Sequence, residues 1–490
     1  MILAIRCMIG SLILLGIAGC MLGPDYQHPR TPAHIHETYV NAPAPETLSE
    51  VIAGNGVSRW WERMEDDPMA RYVGVLLLQN LRLQEAGARV DQAWAQLRIQ
   101  RGGWWPAVSA SVYGSRQMIP LSGMTFAEFP LPGESDTADR IYLSQWDIGL
   151  SARWQLDLFG RLRRGIESAE AFPEASQADA EALMHSLIAE VARARVRLAT
   201  LQRQLDLAGE TVESRWLTFA VVERRYERGV GDASALDVYL ARENLSAARA
   251  DLIELRQQMS GQAYALDLLL GRTPGSTDPR KVALPILPPP QKPPTGLPAQ
   301  LLDRRPDLRS AELRLKAATA HVGVAIADLY PDLTLSVSIG FQNDELRGWF
   351  STGNMAGTLM GDILVRLFEG GRVRANIDLQ KDQAEEEAAV YAGQILSALQ
   401  EVETALSDDS YLVAQLEELE VQRTNMRRAE ELAWSSYHRG LRPLLDVLDA
   451  QRCRYMIEQT HLLAAQSAWN SRIALYLALG GDWMENSGSP

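Results

Sequence analysis

The sequence predicts an α+β membrane protein of two tandem repeats, each a pair of strands feeding a long helical hairpin. Three observations predict it. First, the chain repeats itself roughly 210 residues along, and self-similarity at a fixed period marks a duplicated structural unit. Arg225-Tyr226-Glu227-Arg228-Gly229, followed by Leu236-Asp237-Val238, returns as Ser436-Tyr437-His438-Arg439-Gly440, followed by Leu445-Asp446-Val447. Upstream, Leu156-Asp157-Leu158-Phe159-Gly160-Arg161 is echoed by Val365-Arg366-Leu367-Phe368-Glu369-Gly370-Gly371-Arg372. Second, four segments alternate apolar and polar residues with period two. Third, two proline-free stretches rich in Ala, Leu, Glu, Gln and Arg are too long for the helices of an ordinary domain.

At the N-terminus, Arg6 precedes an apolar run from Ile9 to Ala18 that is too short to span a bilayer and ends Gly16-Ile17-Ala18-Gly19-Cys20. Small residues before a cysteine resemble a bacterial lipobox, although Ile17 replaces the commoner Leu. The pattern implies cleavage before Cys20 and acylation of that residue by a diacylglycerol and an N-acyl chain. Met21 follows instead of Asp, which by analogy with sorted lipoproteins points to the outer membrane. An ordinary signal peptide with an incidental cysteine is the alternative. Residues 1–19 are therefore read as the signal peptide. Residues 20–58, with Pro24, Pro29, Pro32, Pro43 and Pro45, form a lipidated extended arm.

The first repeat is expected over 59–273. Its strands lie at 108–115 and 146–158, with 116–145 as a surface loop between them. A helix from 174 to 228 follows, entered at Pro173 in its first turn. It turns at Gly229 and Gly231 and returns. A Pro-rich linker, 274–298, contains Pro288-Pro289-Pro290 and cannot be helix. The second repeat, 299–480, has strands at 332–341 and 359–368, a loop at 342–356 and a helix at 376–439 that turns at Gly440 and Pro443. Residues 481–490 are a tail. At 1.5 Å per residue the two long helices measure roughly 80 to 95 Å, and apolar residues at three and four spacing, such as Leu187, Val191, Ala194, Leu198 and Leu201, pack them as coiled coils.

The strands carry the membrane argument. Leu333, Leu335, Val337, Ile339 and Phe341 alternate with Thr334, Ser336, Ser338 and Gly340, giving one apolar and one polar face, and strands of this length suit a lipid-facing barrel. Four strands cannot close a barrel, and an open edge cannot sit in lipid. Two chains would supply eight strands and three would supply twelve, and only the larger barrel leaves room for cargo.

Composition excludes other classes. A net charge of −14 disfavours nucleic acid. Of three cysteines, Cys7 leaves with the signal and Cys20 carries lipid, so Cys453 stands alone without a disulfide framework. The seven histidines are scattered. His34 and His36 in the arm are a weak metal signal, and Gly370-Gly371 lacks the Lys and spacing of a phosphate loop. No nucleophile and base set recommends itself, so neither enzyme activity nor a metal site is expected.

Taken together, these residues resemble the TolC-like outer-membrane efflux factors, specifically the lipidated NodT-type branch. Its carriers are Cys20-Met21-Leu22-Gly23-Pro24-Asp25-Tyr26, Trp60-Trp61 with Asp67-Pro68, the run from Leu156 to Arg164, and Arg304-Arg305-Pro306-Asp307-Leu308. They continue through the run from Ala325 to Pro331, Phe368-Glu369-Gly370-Gly371-Arg372 and Ala478-Leu479-Gly480-Gly481-Asp482-Trp483. The resemblance implies a homotrimer with a twelve-strand outer-membrane β-barrel and a periplasmic α-barrel. It implies a periplasmic adaptor (a membrane fusion protein) and an inner-membrane pump of the resistance-nodulation-division type as partners, and passive conduction of drugs, metals or other small toxic compounds.

Two alternatives stay open: the same duct in a type I protein secretion system, and a lipid-anchored coiled-coil structural protein without a pore. The resemblance makes Leu445, Asp446 and Asp449 the periplasmic gate, where Asp446 and Asp449 share a helix face and a trimer would bring six carboxylates around one axis. It makes Asp237, Tyr437 and Arg442 a latch between neighbouring hairpins, and Gly229 and Gly440 the tips that meet the adaptor.

Overall fold

The computed structural model describes residues 21–28, 39–41, 59–120, 140–229, 234–278, 304–345 and 347–480. Cys20, His34, His36, Gly231, the tail and most of the Pro-rich linker lie outside the described residues.

Each repeat contributes the same series of elements. After α1 (Asp67–Gln79), the first repeat runs α2 (Leu81–Gly102), β1 (Ala107–Pro120), β2 (Arg140–Leu156), α3 (Arg161–Glu227) and α4 (Ala235–Leu269). The second runs α5 (Pro306–Ala327), β3 (Asp332–Asn343), β4 (Met355–Leu364), α6 (Arg372–His438) and α7 (Leu444–Ala478). Helices α2 and α5 both have 22 residues, α3 and α6 both have 67, and α4 and α7 both have 35, so the duplication read from the sequence holds for the backbone. A 67-residue helix is about 100 Å long.

Helix α3 exceeds its expected span because it starts at Arg161 and runs through Pro173 instead of starting there, while α6 starts four residues earlier than expected, at Arg372. Proline inside a helix removes one hydrogen bond and costs about 3 kcal/mol. Ala169, Ala171, Ala175 and Ala178, around the proline in sequence, are each buried.

The chain forms two compact units, each drawing on both repeats. The first comprises residues 21–28 with Asp91–Glu174 and Leu313–Ala389, and holds the sheet. Its four strands lie in the order β1-β2-β3-β4, every neighbour antiparallel. Cross-strand rows sort by polarity. Val112, Ile148, Phe341 and Met355 form one row and Val108, Ala152, Val337 and Leu359 another, whereas Ser109, Ser151, Ser338 and Thr358 face the opposite side. The sheet thus has one apolar and one polar face, as the alternation predicts.

Strand boundaries differ from expectation: β2 ends at Leu156, not 158, β3 runs on to Asn343, not 341, and two differences are larger. The β1–β2 hairpin continues to Pro120 and Arg140, so much of the expected loop is strand. Strand β4 spans Met355–Leu364, not 359–368, because its partner β3 begins at Asp332, directly after Pro331, and Gly357 and Gly361 interrupt the apolar pattern that would have announced it. Beyond its end Arg366 pairs with Asp332 at 2.6 Å, and Arg161 pairs with Asp328 at 3.2 Å, closing the base of the sheet with charge.

The arm also docks within this unit. Arg164, almost fully buried on α3, donates from Nε to the Leu22 carbonyl (3.0 Å) and from Nη2 to the Gly23 carbonyl (3.3 Å) and Asp25 Oδ1 (2.6 Å). Gly23 has φ +94° and sits so close to Gly323 of α5 that a Cβ on it would fall 2.4 Å from the Gly323 Cα, which explains two glycines where these segments touch.

The second unit comprises Ala175–Glu312 and the chain from Val390, with the segment up to Val90 that carries α1. Its main core gathers Trp60, Met69 and Leu76 with Leu187, Leu198, Leu201, Leu266 and Leu270, and the end of α7 adds Trp469 and Ile473. Trp60 stacks on Tyr476 at 5.4 Å. Asp267 holds the start of the linker by accepting hydrogen bonds from the backbone of Gly275 and Ser276 and from the Thr277 hydroxyl.

Candidate functional site

Two surfaces carry the chemistry: the hairpin tips of the second unit and the apolar sheet face of the first. At the second tip, α6 ends because Gly440 adopts φ +73°. Its N–H donates to the Tyr437 carbonyl (3.0 Å) and that of Leu441 to the Ser436 carbonyl (2.9 Å), the paired bonds that close a helix C-terminus and that a left-handed residue permits. Gly229 (φ +62°) ends α3 in the same way, donating to the Tyr226 carbonyl at 3.1 Å.

The return helices begin differently. Ser234 caps α4, its hydroxyl accepting from the Asp237 N–H while Asp237 Oδ2 accepts from the Ser234 N–H (2.9 Å) and hydroxyl (2.8 Å). In α7 the cap is Pro443, which offers no side-chain bond. Asp446, in the position of Asp237, pairs instead with Arg442, one turn back, at 3.2 Å. Asp449 is exposed and pairs with Arg452, and Leu445 is half exposed.

These exposed groups occupy one side of α7. The other side, Leu444, Val447 and Leu448, is buried with Tyr437 against Val222, Val238 and Ala241 of the first hairpin. Deeper, Gln451 donates from Nε2 to the hydroxyls of Ser214 (3.1 Å) and Thr218 (3.0 Å) on α3. Leu445, Asp446 and Asp449 are thus brought together, as expected, but each aspartate already has an arginine counter-charge within its own hairpin, Arg442 in the turn for Asp446 and Arg452 on α7 for Asp449. The latch residues also have partners inside the chain: Asp237 in its cap, Arg442 on Asp446, and Tyr437 in the apolar cluster beneath the Arg225 guanidinium.

Further along the second hairpin its helices are tied by charge. Arg472 and Asp409 pair at 2.9 Å with both side chains buried, and Arg454 and Glu430 pair at 2.8 Å. Arg427 pairs with Glu458 at 2.6 Å, and His461 lies 3.4 Å from Glu420. Burial holds His461 below the usual imidazole range, with Arg423 pushing the same way and Glu420 opposing.

The apolar sheet face is exposed over Val108, Val112, Leu150, Ile339, Leu359 and Ile363. Aromatic residues frame it. At one end Trp146 meets Trp349 edge-on (6.2 Å) and Phe341 meets Phe350 (5.5 Å). At the other, Trp154 donates from its indole N–H to the Trp104 carbonyl (3.0 Å), beside the exposed Trp105. Trp146 and Trp154 lie on the same side of β2, about 26 Å apart at strand rise, close to the roughly 25 Å apolar band of an outer-membrane barrel.

Among the described residues, no helix is long and apolar enough to cross a membrane, and no group of three or more His, Cys, Asp or Glu could hold a metal ion. Sequence reading missed Arg452, whose three-residue spacing from Asp449 was available, and Arg225, whose partner lies on another helix.

Known proteins place this architecture. The chain is similar over 97% of its length, and of the relative's, to the toluene efflux pump outer membrane protein TtgF of Pseudomonas putida, at 32% identity. The outer membrane protein OprJ of Pseudomonas aeruginosa is 30% identical over 97% of this chain and 95% of its own. Among solved structures, the outer-membrane channel OprN matches with a TM-score of 0.81 and 31% identity, covering 95% of this chain and all of that one. The model of a family described as outer membrane efflux protein matches twice, over residues 73–272 and 297–481, once for each repeat, and the chain belongs to that family.

Proposed function

We propose that the protein is the outer-membrane exit duct of a tripartite efflux pump. Three copies close a twelve-strand barrel, β1 of one meeting β4 of the next, and drugs, solvents, metals or other small toxic compounds pass through it. The energy comes from an inner-membrane pump of the resistance-nodulation-division type joined by a periplasmic adaptor.

The observation that carries this reading is the sheet: one exposed apolar face with aromatic residues at both ends, and two open edges that only further strands can satisfy in lipid. TtgF's place in a toluene efflux pump, and the outer-membrane place that the names of TtgF and OprJ give them, support it. The duct does no chemistry on its cargo.

Within it, Leu445, Asp446 and Asp449 form the constriction, Asp237, Tyr437 and Arg442 the latch that holds it, and Gly229 and Gly440 shape the ends that meet the adaptor. Cys20 carries the lipid, and the Arg164 clamp on Leu22, Gly23 and Asp25 holds the chain just beyond it.

The test is restoration of toxicant resistance in a strain lacking the gene, together with crosslinking of the purified protein. A crosslinked trimer and restored resistance are expected. A folded monomer that restores nothing would overturn the reading. Mass spectrometry of wild type and Cys20→Ser reads the anchor separately.

A further inference from the structure

Near the tips, the tie between the two hairpins converges on one aromatic ring. The Arg225 guanidinium, in the last turns of α3, lies over the ring of Tyr437 at the end of α6, 4.7 Å from its centroid. Trp434 meets the same ring edge-on at 6.0 Å, and His438 stacks on Trp434 at 5.1 Å. Apolar residues of both hairpins, Val222 and Val238 from the first and Leu444 and Val447 from the second, close around the ring and leave it 9% exposed. Meanwhile the Asp237 carboxylate, the partner that family resemblance gives to the Tyr437 hydroxyl, is occupied by the backbone and hydroxyl of Ser234.

We propose that Arg225 is a clasp residue of the gate, holding the second hairpin against the first through the face of Tyr437. The attraction is between a cation and the negative face of a π system, strengthened because neighbouring side chains exclude water from the ring. It is directional in the repeat: Ser436 stands in α6 where α3 has Arg225, so only the second hairpin's ring is held by the first hairpin's cation. Such a contact biases the tips toward contact yet is weak enough for a docking partner to displace. Arg225 acts here through Tyr437, as a positioning residue and not as part of the constriction. The inference rests on the exit-duct reading, since a clasp matters only if there is a passage to hold shut.

The experiment records single channels of the full lipidated protein in planar bilayers for wild type, Arg225→Ala, Tyr437→Leu and Tyr437→Phe. Loss of the cation or of the ring is expected to raise open probability about tenfold, whereas Phe keeps the π face and shows only a small part of that rise. If Tyr437→Phe opens the channel as much as Tyr437→Leu, the hydroxyl is the latch and the clasp is wrong. A silent Arg225→Ala would overturn it equally.

A wild type that forms no channel would instead sink the duct reading. In that case the contact is still read by the thermal midpoints of the single and double Arg225→Ala and Tyr437→Leu variants. Non-additive shifts are expected, and additive ones would refute the contact.

Discussion

The two helical hairpins share their lengths and their glycine turns, and differ in what fills the seam between their helices. In repeat register, the buried pair Asp409 and Arg472 of the second hairpin stands where the first has Leu198 and Ala263. Glu430 and Arg454 stand where it has Phe219 and Leu245, and His461 takes the place of Leu252. The tips follow suit: Ser234 and Asp237 lock the first into a capping box, whereas Pro443 leaves Asp446 free to face Arg442.

Apolar seams gain from any close contact and are costly to open, because the surface they expose is greasy. Seams of ion pairs lose their attraction when parted but regain hydration, so their net contribution to closure is small. At these positions the first hairpin's seam is apolar and joins the main core, whereas the second's rests on ion pairs and gains less from staying closed.

The largest test of this contrast is at the buried pair. Arg472→Met strands Asp409 in the seam and is expected to lower unfolding stability by about 3 to 5 kcal/mol. Asp409→Leu with Arg472→Ala, which copies the first hairpin, should recover most of that loss. Denaturant titration reads both, and a double variant as unstable as the single one would break the comparison.

A smaller test transplants the cap. Pro443→Ser gives Asp446 a hydroxyl partner and should stabilise the start of α7 by about 1 kcal/mol, while Asp237→Ala should cost the first tip a similar amount. Hydrogen exchange at the two tips measures each, and unchanged protection in Pro443→Ser would show that the two turns are not interchangeable.

The smallest effect is the pH dependence of the second seam. Burial depresses the His461 pKa, so the neutral ring is the folded form. Its contribution is complete above the free imidazole value of about 6.5 and is lost as pH falls from there through the lowered folded value. The charges around it, Arg423 and Arg427 against Glu420 and Glu458, belong to the same seam and modulate the loss. His461→Leu, the first hairpin's residue at that place, should flatten stability between neutral and mildly acidic pH, and an unchanged slope would assign it to other groups.

Legibility in the sequence followed the range of the interactions. Leu333, Leu335, Val337, Ile339 and Phe341 announce β3 because period two is a local signal, and the glycine turns announce themselves for the same reason. Strand β4 is hard to place from sequence because Gly357 and Gly361 blank the positions where apolar residues would mark its face. Pro173 misled in the other direction, since a helix breaker says nothing of the tertiary packing that overrides it. At the second tip, the three-residue spacing of Asp446 and Asp449 puts them on one helix face, whereas Arg225 over Tyr437 and Asp409 with Arg472 join separate helices, and no spacing in the chain encodes which helices meet.

The claim that the second hairpin gates a duct is tested most directly by single-channel conductance of the purified lipidated protein, comparing wild type with Asp446→Ala/Asp449→Ala. The account predicts a small, cation-selective conductance in the wild type that grows several-fold and loses its selectivity in the double variant. A folded preparation that forms no channel, or a double variant that conducts as the wild type does, would contradict it.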